Sequence, residues 1–73
     1  MKITPEFRDR LNNLIKRRKL TNMQCMMIFK ISAKALYNAR TYGKYPTPLV
    51  IARMAEFFEV SENYLLGLTD YIC

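Results

Sequence analysis

The sequence predicts an all-α protein, five helices gathered into one compact domain, and three observations predict it. Residues that favour helix N-caps stand ahead of five separate segments, at Thr4, Thr21, Ser32, Thr47 and Ser61. Within the longer segments apolar residues recur at helical spacing. The two glycines and three prolines, at Pro5, Gly43, Pro46, Pro48 and Gly67, all fall at segment boundaries. A chain of this length buries only about 60% of its unfolded surface, so residues 1–73 read as a single domain around a single core, with no linker and no internal repeat.

Helix 1 opens with Thr4 as N-cap, Pro5 at the first helical position and Glu6 near the positive end of the dipole, and is expected to run to about Arg18. Phe7, Leu11, Leu14, Ile15 and Arg18 form its inward stripe, leaving Arg10, Asn13, Lys16 and Arg17 outside. The helix ends in Lys16-Arg17-Arg18-Lys19. Cations at a helix C-terminus complement the dipole in any protein, and their density here also suits phosphate contacts by Lys16, Arg17 and Lys19.

Thr21 and Gln24 are spaced as a capping box for helix 2, about residues 22–29. Cys25, Ile28 and Phe29 are expected inward, with Met23, Met26 and Met27 around them as adaptable filler. Lys30 and Ile31 form a turn, and Ser32 caps helix 3, about residues 33–41. At about 100° per residue Leu36 and Ala39 share one side, while Lys34, Tyr37, Asn38 and Thr41 look the other way. Two short helices so joined, the second with a polar outer face, make a helix-turn-helix arrangement. A long cation and an amide on that face can pair with base edges in a major groove, although an ordinary solvated face has a similar composition.

Gly43 suits positive φ in the following turn, and Pro46 blocks helix continuation. Thr47 and Pro48 start helix 4, which runs to about Glu59 and turns Ile51, Ala52, Met54, Ala55 and Phe58 inward. Ser61 caps helix 5, Glu62 to Leu66, closed by Gly67 as a left-handed C-cap. The tail Leu68-Thr69-Asp70-Tyr71-Ile72-Cys73 is apolar for a solvated end and needs cover; Tyr64, Leu68, Tyr71 and Ile72 are the candidate contacts for a second copy or a partner.

The net charge of +6 is unevenly spread: through Lys44 eleven Lys or Arg stand against Glu6 and Asp9, and beyond it Arg53 stands against Glu56, Glu59, Glu62 and Asp70. A basic lobe on an acidic base suits a polyanion, nucleic acid first and an anionic membrane surface second. The longest apolar run, Cys25 to Phe29, is far short of the roughly 20 residues of a membrane span, and no secretory signal pattern opens the chain, so a cytoplasmic location is expected. With no histidine and two cysteines, Cys25 and Cys73, the chain lacks the donors for a usual zinc site, and two free thiols are expected. No Gly-rich phosphate loop or clustered carboxylates suggest an enzyme, a cofactor or a small-molecule substrate.

Nearly the whole chain resembles the lambda-repressor-like, Cro and phage-repressor class of helix-turn-helix DNA-binding domains. The resemblance is carried by Arg10-Leu11 and Leu14, Leu20-Thr21, Ile31-Ser32, Leu36, Pro46, and most strongly by the block Met54 to Asp70, which looks like the end of such domains from phages and mobile elements of Gram-positive bacteria. It implies a transcriptional regulator that binds double-stranded operator DNA, as a homodimer. Ala33, Lys34, Tyr37 and Asn38 would then meet bases, and Asn22, Ser32, Arg40 and Lys44 would meet phosphate. Departures from the family pattern are Met26 for alanine, Lys30 for the turn glycine, Arg40 for an acidic residue and Gly43 one place late. They leave open an antirepressor that uses the same surface to bind a partner repressor protein. A module devoted mainly to oligomerisation is a third reading.

Overall fold

Local chemistry at the helix ends sets where the helices of this chain start and stop. The computed structural model describes residues 5–72, so the Thr4 cap and Cys73 lie outside the described residues. The helices are α1 Pro5–Arg17, α2 Asn22–Phe29, α3 Ala33–Tyr42, α4 Pro48–Phe58 and α5 Glu62–Leu65. Thr21 and Gln24 form both bonds of the capping box, while Ser32 Oγ accepts from the Ala35 amide and Ser61 Oγ from the Tyr64 amide. Thr47 has the extended backbone of an N-cap, but its side chain makes no capping bond, so the Pro48 ring sets that start instead.

The ends share one device. Lys19, Lys30, Gly43, Glu59 and Gly67 each follow a helix in the left-handed region, with φ of 54°, 53°, 74°, 59° and 81°. In four cases the next amide reaches back five residues: Leu20 to the Ile15 carbonyl, Ile31 to Met26, Val60 to Ala55 and Leu68 to Asn63. This is the Schellman closure, in which an apolar residue after the left-handed position folds back over the helix end. Three of the connections then place a Ser or Thr cap at once, in Lys19-Leu20-Thr21, Lys30-Ile31-Ser32 and Glu59-Val60-Ser61. Three residues therefore separate α2 from α3 and α4 from α5, and four separate α1 from α2.

Closely spaced short helices bury one core. Phe7, Leu11 and Ile15 meet Cys25, Phe29, Leu36, Ala39, Val50, Ile51, Met54, Ala55, Phe58 and Leu65 there. Packing joins α1 to α3 and α5, α2 to α3 and α4, and α4 to α5. Phe29 is the hub of an aromatic cluster, its ring 5.6 Å from Phe57 and 5.5 Å from Phe58 between centroids. Arg53 Nη1 donates to the Phe29 carbonyl at 3.2 Å and so satisfies one of the open acceptors at the end of α2.

Six placements correct the sequence reading. Met23 and Met27, expected as filler around the inward residues of helix 2, are 71% and 72% exposed, and only Met26 packs against the core. Ile28, expected inward, is 37% exposed, because the eight residues of α2 are apolar nearly all round and carry no decisive stripe. Arg18, placed in the inward stripe of α1, is exposed: α1 ends one residue earlier, and its guanidinium lies 5.3 Å from the Phe57 ring centroid and 3.6 Å from Glu59. Arg10, placed outside, is half-buried and gathers the C-terminal segment: it donates to the carbonyls of Tyr64, at 2.6 Å, and Thr69, and to Asp70 at 2.7 Å. Ala52, expected inward, is only half-buried. Helix ends otherwise differ by one residue: α3 extends to Tyr42, α4 stops at Phe58 and α5 at Leu65.

Candidate nucleic-acid interface

The core fixes which way α3 faces. Leu36 and Ala39 are buried, so the turn of the helix throws Ala33, Lys34, Tyr37 and Thr41 outward, and all four are exposed. Asn38 is half-buried beside them. This exposed side of α3 is a ridge between two clefts. On one flank Lys34 and Asn38 line a cleft of about 190 Å³ with Ser32, Lys44 and Tyr45. On the other Ala33 and Tyr37 line a cleft of about 340 Å³ with Asn22, Met26, Arg40 and Thr41. None of the residues lining either cleft is acidic.

Each expected base-facing position lies on this ridge, and four of the expected phosphate positions border it. The supports differ. Ser32 Oγ accepts from the Ala35 amide as the helix cap, which leaves its O–H able to donate. Lys44 takes part in no ion pair among the described residues. Arg40 is half-buried and already bonded, Nε donating to Asn12 Oδ1 at 2.7 Å and Nη1 to Asn22 Oδ1 at 2.6 Å. Asn12 in turn donates to the Arg40 carbonyl at 3.0 Å. One guanidinium thus ties α1, α2 and α3 together at the foot of the ridge. Lys16, Arg17 and Lys19 are exposed at the junction of α1 and α2 and line neither cleft.

Beneath this knot lies Cys25, fully buried. Burial pushes its thiol above the ordinary range, and the charge of Arg40 opposes that in part. It is inner packing and borders neither cleft.

Three residues at this surface were not picked out from the sequence. Tyr42 sets its ring 6.1 Å from that of Tyr37 at 80°, an edge-to-face pair that stiffens an otherwise exposed aromatic. Tyr45 forms a wall of the Lys34 cleft, its ring edge-on to Phe7 at 5.1 Å and its hydroxyl donating to the Leu66 carbonyl at 2.8 Å. Asn12 is the acceptor that holds Arg40; its position one turn before Ile15 is the only sequence signal that it faces partly inward.

At the C-terminal end Leu68, Tyr71 and Ile72 are 61%, 80% and 50% exposed. Tyr64, expected with them, is half-buried under Arg10, whose guanidinium carbon sits 4.2 Å from its ring centroid. Among the described residues no helix is long and apolar enough to cross a membrane. Compared with protein-family models, curated proteins and solved structures, the chain finds no match.

Proposed function

We propose that this chain is a DNA-binding transcriptional regulator of the lambda-repressor-like helix-turn-helix class that lays α3 in the major groove. The observation that carries the reading is the α3 ridge: an exposed helical edge bearing Lys34 and Tyr37, with half-buried Asn38 beside them, a cleft on either side and no acid lining either one. A helix with side chains is about 10–12 Å across and the major groove about 12 Å wide, so a ridge of this kind enters while its flanks meet the two sugar-phosphate strands. Lys34 donates to guanine O6 and N7, Asn38 pairs with adenine N6 and N7, and the Tyr37 ring lies against a thymine methyl. Lys44 and the Nη2 of Arg40, which makes no hydrogen bond to a side chain among the described residues, serve the phosphates. Lys16, Arg17 and Lys19 add a longer-range attraction.

The exposed Leu68, Tyr71 and Ile72 pair two copies, so that two α3 ridges address half-sites about 34 Å apart. Titration of the full chain with random-sequence duplex tests the reading. Affinity falls about tenfold or more between 50 and 200 mM salt, and selection from a random library enriches a palindrome. Absence of duplex binding at the lower salt overturns it. A solution mass unchanged by joint replacement of Leu68, Tyr71 and Ile72 with serine removes the tail from the dimer.

A further inference from the structure

The cleft beside Lys34 does not end there. It shares Ser32, Ala35, Lys44, Tyr45 and Pro46 with a second cleft of about 340 Å³ that reaches Lys30, Ile31 and Val50. The two form one groove along the start of α3 and under the α3–α4 connection. Its floor is apolar and firm: Ile31 and Val50 belong to the core, and Tyr45 is held by Phe7 and the Leu66 carbonyl. Its rim is cationic. Lys30, Lys34 and Lys44 stand along it, no ion pair engages any of them among the described residues, and no acid lines the groove.

We propose that this groove seats an acidic segment of a partner protein that carries an apolar anchor, and that the segment and DNA exclude each other. A sugar-phosphate strand satisfies the three lysines and leaves the floor of Ile31, Tyr45 and Val50 without a matching surface. A neutral apolar side chain does the reverse. An aliphatic or aromatic side chain flanked by carboxylates satisfies both at once, and the charges guide it to the site. The space suffices, since an apolar cavity of about 150 Å³ already accepts a benzene ring. Because Lys34 and Asn38 belong to the same groove, an occupant covers one flank of the α3 ridge. The exclusion half of this proposal rests on the DNA reading; the seat itself does not.

The test uses ¹⁵N-labelled full chain and a short synthetic helical peptide with Leu and Phe along one face and Glu elsewhere, beside a control peptide with Lys for every Glu. Saturable shifts at the amides of Ile31, Ser32, Ala35, Lys44 and Tyr45 are expected with the Glu peptide alone. Joint Lys34→Glu and Lys44→Glu replacement weakens its binding about tenfold or more. The Glu peptide also releases bound random-sequence duplex from the unaltered chain. No shifts at these amides, shifts with both peptides alike, or peptide and duplex bound together without mutual release would each overturn the proposal. Concentration-dependent shifts at the same amides without peptide assign the groove to a second copy and overturn it too. If duplex does not bind at all while the peptide still shifts these amides, the DNA reading fails and the seat stands.

Discussion

Arg40 Nη1 lies 2.6 Å from Asn22 Oδ1, and this bond joins the α3 ridge to the helix before it. With Nε on Asn12 of α1, the same guanidinium spans three helices. Hydrogen bonds to a charged group contribute about 1.5–3 kcal/mol each when buried, less where water competes. Half-buried Arg40 is therefore expected to lose about 1–2 kcal/mol of stability on Arg40→Ala, seen as a lower urea midpoint. Arg40→Lys does not restore it, because a single ammonium cannot keep both acceptors in the fork geometry. If the alanine variant unfolds at the parent's midpoint, Arg40 is not a tie between helices, and its role narrows to the phosphate contact first expected of it.

Lys30 holds φ 53° and ψ 51° at the end of α2 without being glycine. A side chain in that region costs about 1–2 kcal/mol, against about 0.5–1 kcal/mol for the greater freedom glycine brings to the unfolded chain. Lys30→Gly is accordingly expected to stabilise the protein by about 0.5 kcal/mol, raising the thermal midpoint by about 2–4 °C. The lysine is exposed, so little packing is lost. A lower midpoint would mean that Lys30 makes a contribution larger than its backbone strain.

Gly67 is the opposite case. Its φ is +81°, and a Cβ placed there would come within 2.7 Å of the Glu6 Cβ on the first turn of α1. Left-handed strain of about 1–2 kcal/mol then combines with a clash that a backbone shift must relieve. Gly67→Ala is expected to cost about 2 kcal/mol or more, read from denaturant unfolding with the slope unchanged. Equal stability of variant and parent would show that the α5 turn does not press on α1.

Helix starts were legible because a cap is local chemistry. Thr21 with Gln24, Ser32 and Ser61 each bond to an amide three residues on, and the spacing alone reveals them. The left-handed ends at Lys19, Lys30 and Glu59 were not, since charged residues there give no conformational signal and the closure draws on an apolar residue folding back. Once seen, the run of left-handed residue, apolar residue and Ser or Thr is readable in all three connections. Arg10 escaped periodicity because its acceptors lie 54 and 59 residues away along the chain. Ile28 escaped it because two turns of methionine-rich helix give no stripe to read.

The outward aim of Lys34, Tyr37 and Asn38 followed from Leu36 and Ala39 facing the core, which needs only the helical repeat. What stands beneath them was hidden. The Arg40 knot joins residues 18 and 28 positions apart, and the groove floor takes Ile31, Tyr45 and Val50 from three different segments. Such convergence is a property of packing, which no local window contains.

Cys25 gives a direct probe of the core. It is fully exposed to solvent only on unfolding, and burial raises its pKa, which fixes the direction of a pH effect. Below the ordinary thiol range both states hold the proton and stability is at its full value. As pH rises past that range the unfolded thiol ionises first, so stability is lost up to the folded pKa. Compared at about pH 8 and pH 10, the parent should lose more stability than Cys25→Ala, the other titrating groups being common to both. With Cys73→Ser present to leave one thiol, iodoacetamide labelling of Cys25 should be slow in the native protein and rise with urea in step with global unfolding. Rapid labelling without denaturant would mean that α2 opens locally, and that the helix carrying Asn22 is looser than its bond to Arg40 implies.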